Sequence, residues 1–327
     1  MQIGVYPTPV DRLPGALPGG RDLWVKRDDR TAPRYGGNKV RKLERILDVV
    51  KASGASRIVT FGAAGSHHVL ATALYAGDLG IGVDAVLIPQ PRTPHVAENL
   101  RAISASTRVF PASSFAHAAT IVVDRVACGA YYVPPGGSTP EGAMAYADAA
   151  KELLEQVARG VLPLPTVVVV TLGSGGTAAG LAAGFALARS SVRVRAVTVS
   201  EPRAYVAWNA RRLAKECVHR GVTAGARAGE VRLEITERYL GDGYGHATPA
   251  ALRAIEAAEP FGLTLDTTYT GKTFAAALDL PEADGPVLFW HTLSSAPMAP
   301  ILDGVHAPGE EALPADVGGL LLGGRRQ

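Results

Sequence analysis

Six consecutive positions, Val167-Val168-Val169-Val170-Thr171-Leu172, are β-branched or aliphatic with no polar alternation. A strand sends successive side chains to opposite faces, so such a run needs apolar cover on both of them. Sheets covered twice are parallel sheets wrapped by helices, and the rest of the chain keeps the matching rhythm. Strands are predicted at Leu23–Lys26, Arg57–Phe61, Asp84–Ile88, Thr107–Phe110, Val167–Leu172, Arg193–Ser200 and Val287–His291. Ala/Leu-rich stretches between them predict helices at Lys39–Ala52, His67–Leu79, Thr139–Ala158, Thr177–Ala188, Ala204–His219, Pro249–Glu259 and Lys272–Leu278. The alternation specifies an α/β fold built on mostly parallel sheets. A chain of 327 residues exceeds one ordinary core, so two lobes are expected, with a break at Gly160-Val161-Leu162-Pro163-Leu164-Pro165. The tail from Gly318 to Gln327 is expected to fray.

Composition removes several function classes. Hydrophobic residues make up 47% and charged residues 19%, which is a globular balance with ample core material. A net charge of +3 with interleaved signs gives no basic stripe for nucleic acid. Cys128 and Cys217 stand far apart with no Cys/His cluster, which excludes a disulfide framework or zinc site and suits a reducing cytoplasm. The first nine residues lack the order of a signal peptide, and Val167–Leu172 is too short to span a bilayer. A soluble cytoplasmic protein with no membrane or nucleic-acid partner is the expectation. His67 and His68 are adjacent, so one helix face cannot turn both to a metal.

Two segments carry chemistry. In Gly36-Gly37-Asn38-Lys39, a tight turn delivers a lysine to a helix start, and Lys39 shares a stripe with Leu43, Ile46 and Val50. Arg41 and Arg45 are expected to point away from that stripe, with Lys42 at its edge. An amine on an apolar face loses hydration, its pKa falls, and its neutral form can make a Schiff base with a carbonyl. The bland alternative is a lysine snorkelling at a helix end. The second segment, Gly173-Ser174-Gly175-Gly176-Thr177, follows the apolar strand and opens a helix, which offers backbone N–H groups to a phosphate. It also reads as a plain tight turn. As GxGxxA (Gly173, Gly175, Ala178) with Glu201 on the next strand end, it matches a dinucleotide-binding oxidoreductase as well.

Taken together and in order, these motifs resemble the pyridoxal-phosphate enzymes of the tryptophan-synthase-β-like superfamily (fold type II). Within it the chain is most similar to the aminocyclopropane-carboxylate deaminase and D-cysteine desulfhydrase family. The resemblance runs through Leu23–Asp29, Gly36–Glu44, Gly65-Ser66-His67-His68, Gly136–Ala143, the glycine turn, Gly243-Tyr244-Gly245, Asp266–Lys272 and His291-Thr292. It implies a two-lobed fold, with 1–47 plus 160–327 as the larger cofactor-binding lobe and 48–159 as the smaller. Lys39 would carry the Schiff base to pyridoxal 5′-phosphate, and Gly173, Ser174, Gly175, Gly176 and Thr177 would hold its phosphate. Asn38, His67, Thr270 and Thr292 complete the implied cofactor-binding set. Ser66 would serve the substrate carboxylate and reacting carbon, and Tyr244 and Tyr269 would flank the substrate. The implied substrate is a small amino acid and the expected assembly a homodimer.

Thr270 stands where the deaminases carry a glutamate facing the pyridine nitrogen and the desulfhydrases carry threonine. A hydroxyl brings no charge of its own to the ring, which leans the expectation toward loss of a β-substituent, as from D-cysteine, giving a 2-ketoacid and ammonia. Cyclopropane ring opening, β-replacement and racemisation stay open as alternatives. Two departures bear on the substrate. His67 replaces the family's asparagine, and Leu293-Ser294-Ser295 follows Thr292 where the family has two glycines.

Overall fold

The computed structural model describes residues 1–222, 227–281 and 285–323. The chain begins with β1 (Val10–Leu17), β2 (Arg21–Lys26), α1 (Lys39–Ala52), β3 (Arg57–Ala63), α2 (His67–Gly77), β4 (Gly82–Ile88) and β5 (Gln90–Pro91). It continues with α3 (Pro94–Ser106), β6 (Arg108–Pro111), α4 (Phe115–Ala127), β7 (Tyr131–Val133), α5 (Pro140–Ala158), β8 (Val167–Leu172), α6 (Gly176–Leu187) and β9 (Arg193–Thr198). The remainder is α7 (Arg203–Gly221), β10 (Leu233–Thr236), α8 (Pro249–Ala258), α9 (Thr270–Leu278), β11 (Val287–Trp290), α10 (Ala299–Gly304), α11 (Ala315–Gly318) and β12 (Leu321–Leu322). Two compact units result. One contains residues 1–2, 43–137 and 297 onward, and the other contains 3–42 and 138–296.

The second, larger unit is built on a sheet in the order β1-β2-β11-β8-β9-β10, parallel throughout except for the antiparallel β1–β2 edge. Its central strand β8 explains why the sequence there is apolar at every position. Val167 and Val169 pack into one core with Phe274 and Phe289, whereas Val168, Val170 and Leu172 pack into another with Phe185 and Leu181. Helix α6 is buried along its length and lies against α5. Gly180 makes that approach possible, because a Cβ there would sit 2.0 Å from the Ala143 carbonyl oxygen.

The first unit holds a parallel sheet in the order β6-β4-β3-β7, plus a short pair of β5 with β12. That pair corrects the expectation of a frayed tail. Gln90 N–H donates to Leu320 O and Arg92 N–H to Leu322 O, so the backbone near the C-terminus is tied down, and residues 324–327 lie outside the described residues. Elements that the sequence rhythm did not announce have local reasons. Strand β1 contains Pro14 and Gly15, which an edge strand tolerates where a central one does not. Helices α3 and α4 start at Thr93 and Ser114, which cap the amides of Val96 and His117. No described helix is long and apolar enough to cross a membrane.

Candidate active site

The turn before Lys39 is fixed from two sides in the second unit. Gly37 N–H donates to Asp28 O, Asn38 N–H donates to Thr292 O, and Gly36 N–H donates to Ser294 Oγ at 2.9 Å. Gly37 needs its φ of +86°, and a Cβ there would lie 2.8 Å from Thr292 O. Ser294 and Ser295, which depart from the family pattern, therefore latch the chain segment leading to the lysine. The Ser295 amide and hydroxyl both reach Asp29 O.

The first turn of α1 is enclosed on more sides than its stripe suggested. Leu43, Ile46 and Val50 are buried and Arg45 is exposed, as expected, but Arg41 is also buried. Its guanidinium meets Asp28 and Glu152, and Asp28 further accepts from Thr8, Tyr146 and Trp290. Lys42 is buried too, not at an edge. A helix N-terminus sits among loops as well as on a core face, so periodicity alone misplaces residues there.

Lys39 Nζ donates to Asn38 Oδ1 at 2.6 Å, and Asn38 Nδ2 donates to Thr177 Oγ1 at 3.0 Å. The lysine retains some solvent contact, yet the protein packed around its amine lowers its pKa to about 8, a fall that the nearby Asp266 charge only partly offsets. Desolvation, then the Lys39 charge, holds Lys42 well below its ordinary value.

The glycine turn is a braced cradle. Ser200 Oγ donates to Gly173 O, Asn209 Nδ2 donates to Ser174 O, and the Ser174 and Ser138 hydroxyls meet at 2.7 Å. Gly175 has a φ of +105° and opens α6, whose Thr177 is buried. A Cβ on Gly176 would lie 2.8 Å from Ser138 Oγ and 3.1 Å from Lys42 Nζ. Lys42 thus reaches the helix N-terminus beside Ser138.

At the start of α9, the Asp266 side chain accepts from the amides of Thr268, Tyr269 and Thr270. It also accepts the Thr270 hydroxyl at 2.6 Å, and Thr270 is fully buried. The Tyr244 and Tyr269 hydroxyls are hydrogen-bonded to each other, with rings edge to face at 5.8 Å. Burial pushes the Tyr244 phenol up to about 12 and Tyr269 well above its usual range, so both are neutral O–H groups. Lys272 braces the Tyr244 segment, donating to Leu240 O and Gly243 O. Thr292 lies near β8 through Thr171, 3.5 Å away.

Ser66 and His67 belong to the first unit. Ser66 caps α2, accepting from Val69 N–H at 3.3 Å. His67 and His95 face each other Nε2 to Nε2 at 3.0 Å, with ring centroids 4.7 Å apart. His68 instead points into the unit and meets Thr60 Oγ1. Among the described residues no group of three or more metal-ligating side chains occurs.

The donors in the second unit suit a phosphorylated aldehyde. Two crowded amines, two serine hydroxyls and a helix N-terminus offer positive charge and N–H groups to a phosphate dianion, and one of the amines is readily neutral for reaction with a carbonyl. The profile of the pyridoxal-phosphate dependent enzymes matches residues 1–292. The chain belongs to that family. Its cofactor is pyridoxal phosphate, and the dinucleotide reading of the glycine turn falls away. Over 303 residues, 88% of this chain and 90% of the relative, it is 37% identical to nocardicin C-9′ epimerase of Nocardia uniformis subsp. tsuyamanensis. Over 306 residues, 88% and 91% respectively, it is 34% identical to D-cysteine desulfhydrase of Salmonella choleraesuis (strain SC-B67). A solved structure of an ACC deaminase homologue superposes with a TM-score of 0.75 at 29% identity, covering 93% of this chain and 94% of that one. The chain is a pyridoxal-phosphate enzyme of the ACC deaminase and D-cysteine desulfhydrase group.

Sequence reasoning missed four residues around these groups. Lys42, Ser138 and Asp266 lay inside the quoted motifs without a role. His95, opposite His67, had no local signal, because its partner is 28 residues away in sequence.

Proposed function

We propose that this enzyme removes the Cα proton of a small amino acid and expels a β-substituent, a D-cysteine desulfhydrase-like elimination giving a 2-ketoacid and ammonia. The observation that carries the reading is the Lys39 amine, with its pKa lowered to about 8 and its nitrogen linked through Asn38 to Thr177 of the glycine cradle. We take the larger unit, 3–42 plus 138–296, as the cofactor-binding lobe, with Ser138 and α5 on its side and not in the expected smaller lobe of 48–159. When bound, pyridoxal phosphate supplies an electron sink conjugated to the substrate nitrogen.

The protein's own groups do the rest. Lys42, Ser138, Ser174 and the amides from Gly175 to Thr177 would bind and orient the phosphate, and Asn38 would hold the Lys39 nitrogen in place. Lys39, displaced by the substrate amine, would accept the Cα proton on Nζ. The electron pair left behind would form the Cα–Cβ double bond as the β-substituent departs with its own pair, and water would hydrolyse the released enamine to the 2-ketoacid and ammonia. Tyr244 and Tyr269 share one hydrogen bond between two O–H groups, so one proton remains for the departing thiolate or substrate carboxylate. Ser66, from the family pattern, would bind that carboxylate, and His67 would take the asparagine's place near the ring.

The test is product release from both cysteine enantiomers and from aminocyclopropane carboxylate. Pyruvate from D-cysteine supports the reading, and activity confined to the cyclopropane substrate overturns it. A second reading, epimerisation at Cα, is favoured by the 37% identity to an epimerase. Loss of optical activity without pyruvate, in deuterium oxide with label entering Cα, would establish that reading. A homodimer and a cytoplasmic setting belong to the same proposal, and light scattering at micromolar concentration checks the first.

A further inference from the structure

The Thr270 hydroxyl has its hydrogen committed. It donates to Asp266 Oδ1 at 2.6 Å while its oxygen accepts the Asp266 amide at 2.9 Å. A hydroxyl has one hydrogen and two lone pairs, so Thr270 Oγ1 keeps a single lone pair for any other partner. It can accept one more hydrogen bond and can donate none. The side chain is fully buried, so water does not compete freely for that position. Asp266 cannot readily release the hydroxyl, because the same carboxylate also accepts three backbone amides, of Thr268, Tyr269 and Thr270, in the turn that leads into α9. The carboxylate thereby fixes both the position and the polarity of the threonine.

We infer that Asp266 and Thr270 act as one unit, in which the buried hydroxyl presents only an acceptor to the cofactor's ring nitrogen, backed by a carboxylate, and so selects the protonated ring. The inference rests on the reading that places Thr270 at that nitrogen. An unprotonated nitrogen would set its lone pair against the Thr270 lone pair. A nitrogen that has taken a proton from water becomes a donor and completes the chain from ring to hydroxyl to carboxylate. Asp266 is in this sense a positioning residue, and it changes what threonine at position 270 implies. The hydroxyl brings no charge by itself, but a negative charge stands one hydroxyl behind it. Charge developing at Cα is then stabilised for longer than a lone hydroxyl permits, which suits Cα epimerisation or ring opening as well as rapid β-elimination.

The test is the 15N spectrum of the holoenzyme reconstituted with cofactor labelled at the ring nitrogen, compared with free cofactor above and below its ring-nitrogen titration. The expected wild-type signal lies at the protonated position at neutral pH. Thr270→Val keeps the Asp266 contacts to the backbone amides and should move the signal toward the unprotonated position. Thr270→Glu, which brings a carboxylate directly, should restore it. Asp266→Asn should move it as Thr270→Val does, with circular dichroism confirming that α9 is intact. If Asp266→Asn does not fold, the wild-type, valine and glutamate spectra still decide. An unprotonated wild-type signal that nonetheless changes in Thr270→Val overturns the carboxylate relay and leaves Thr270 at the ring nitrogen. A signal indifferent to every substitution at 270 removes Thr270 from the ring nitrogen, and the reading beneath the inference fails with it. A protonated signal that persists in a folded Asp266→Asn protein overturns the role of Asp266.

Discussion

A lysine that must react as an amine needs a reason to lose its proton near neutral pH, and Lys39 has one. Protein packed around Nζ disfavours the ammonium, while Asp266 favours it and limits the fall, leaving the pKa at about 8. The sign follows directly: a lowered pKa makes the neutral nucleophile abundant above about 8, where an ordinary lysine would still be mostly charged. Cofactor-free protein mixed with pyridoxal phosphate should therefore develop its visible absorbance at a rate that climbs with pH and levels off just above a midpoint near 8. Stopped-flow absorbance measures this, with Lys39→Ala as the blank. A rate still climbing steeply past pH ~10 would mean that the amine is solvated like a free lysine.

At the scale of elements, the site depends on a few close approaches between backbones. The α5–α6 contact places Ser138, just before α5, beside the N-terminus of α6, and it depends on Gly180 meeting the Ala143 carbonyl with no side chain between. Substituting Gly180→Val should destabilise the protein by about 1–3 kcal/mol or more, since overpacking a close contact forces backbone shifts. The same shift should loosen the Ser138 hydrogen bond to the Gly176 amide, so cofactor affinity should fall together with stability. Urea unfolding and a cofactor titration measure the two effects, and a variant with unchanged stability would mean that α5 moves aside at no cost. The Arg41–Asp28 pair works differently. It is buried and satisfied by Tyr146, Trp290 and Thr8, so it fixes the first turn of α1 in place.

For the whole molecule, the cofactor is also a source of stability. The crowding of Lys39 and Lys42 is a cost in the cofactor-free protein that a phosphate dianion bound beside them would relieve. Pyridoxal phosphate at a hundred times its dissociation constant should stabilise the folded state by about 2.7 kcal/mol. Pyridoxal at the same concentration, without the phosphate, should stabilise it far less. Lys42→Met should raise the stability of the cofactor-free protein and weaken the response to pyridoxal phosphate, leaving the response to pyridoxal unchanged. Thermal unfolding with each ligand makes the comparison. Equal stabilisation by both ligands would remove the phosphate from the Lys42 cradle.

The sequence by itself determined the fold class and the order of most elements, because β8 needs cover on both faces and the strands alternate with helical stretches that can supply it. It also determined the cofactor family, since motifs spread from Leu23 to Thr292 keep one order along the chain. It pointed to Lys39 and the glycine turn through their local patterns, and to Thr270 and the tyrosines only through the family resemblance. Tertiary structure alone decided the company those residues keep. Arg41 is buried because Asp28 and Glu152 arrive from other parts of the chain, and Lys42 reaches the glycine turn because α1 and α6 are brought together. His95, in α3, meets His67 at the start of α2, with β4 and β5 between them in the chain. Asp266 was legible as a residue but not as a partner, since a hydrogen bond from the side chain at position 270 depends on how the turn before α9 closes. A short motif fixes which groups are present, whereas burial and the direction of each hydrogen bond follow only once distant segments pack.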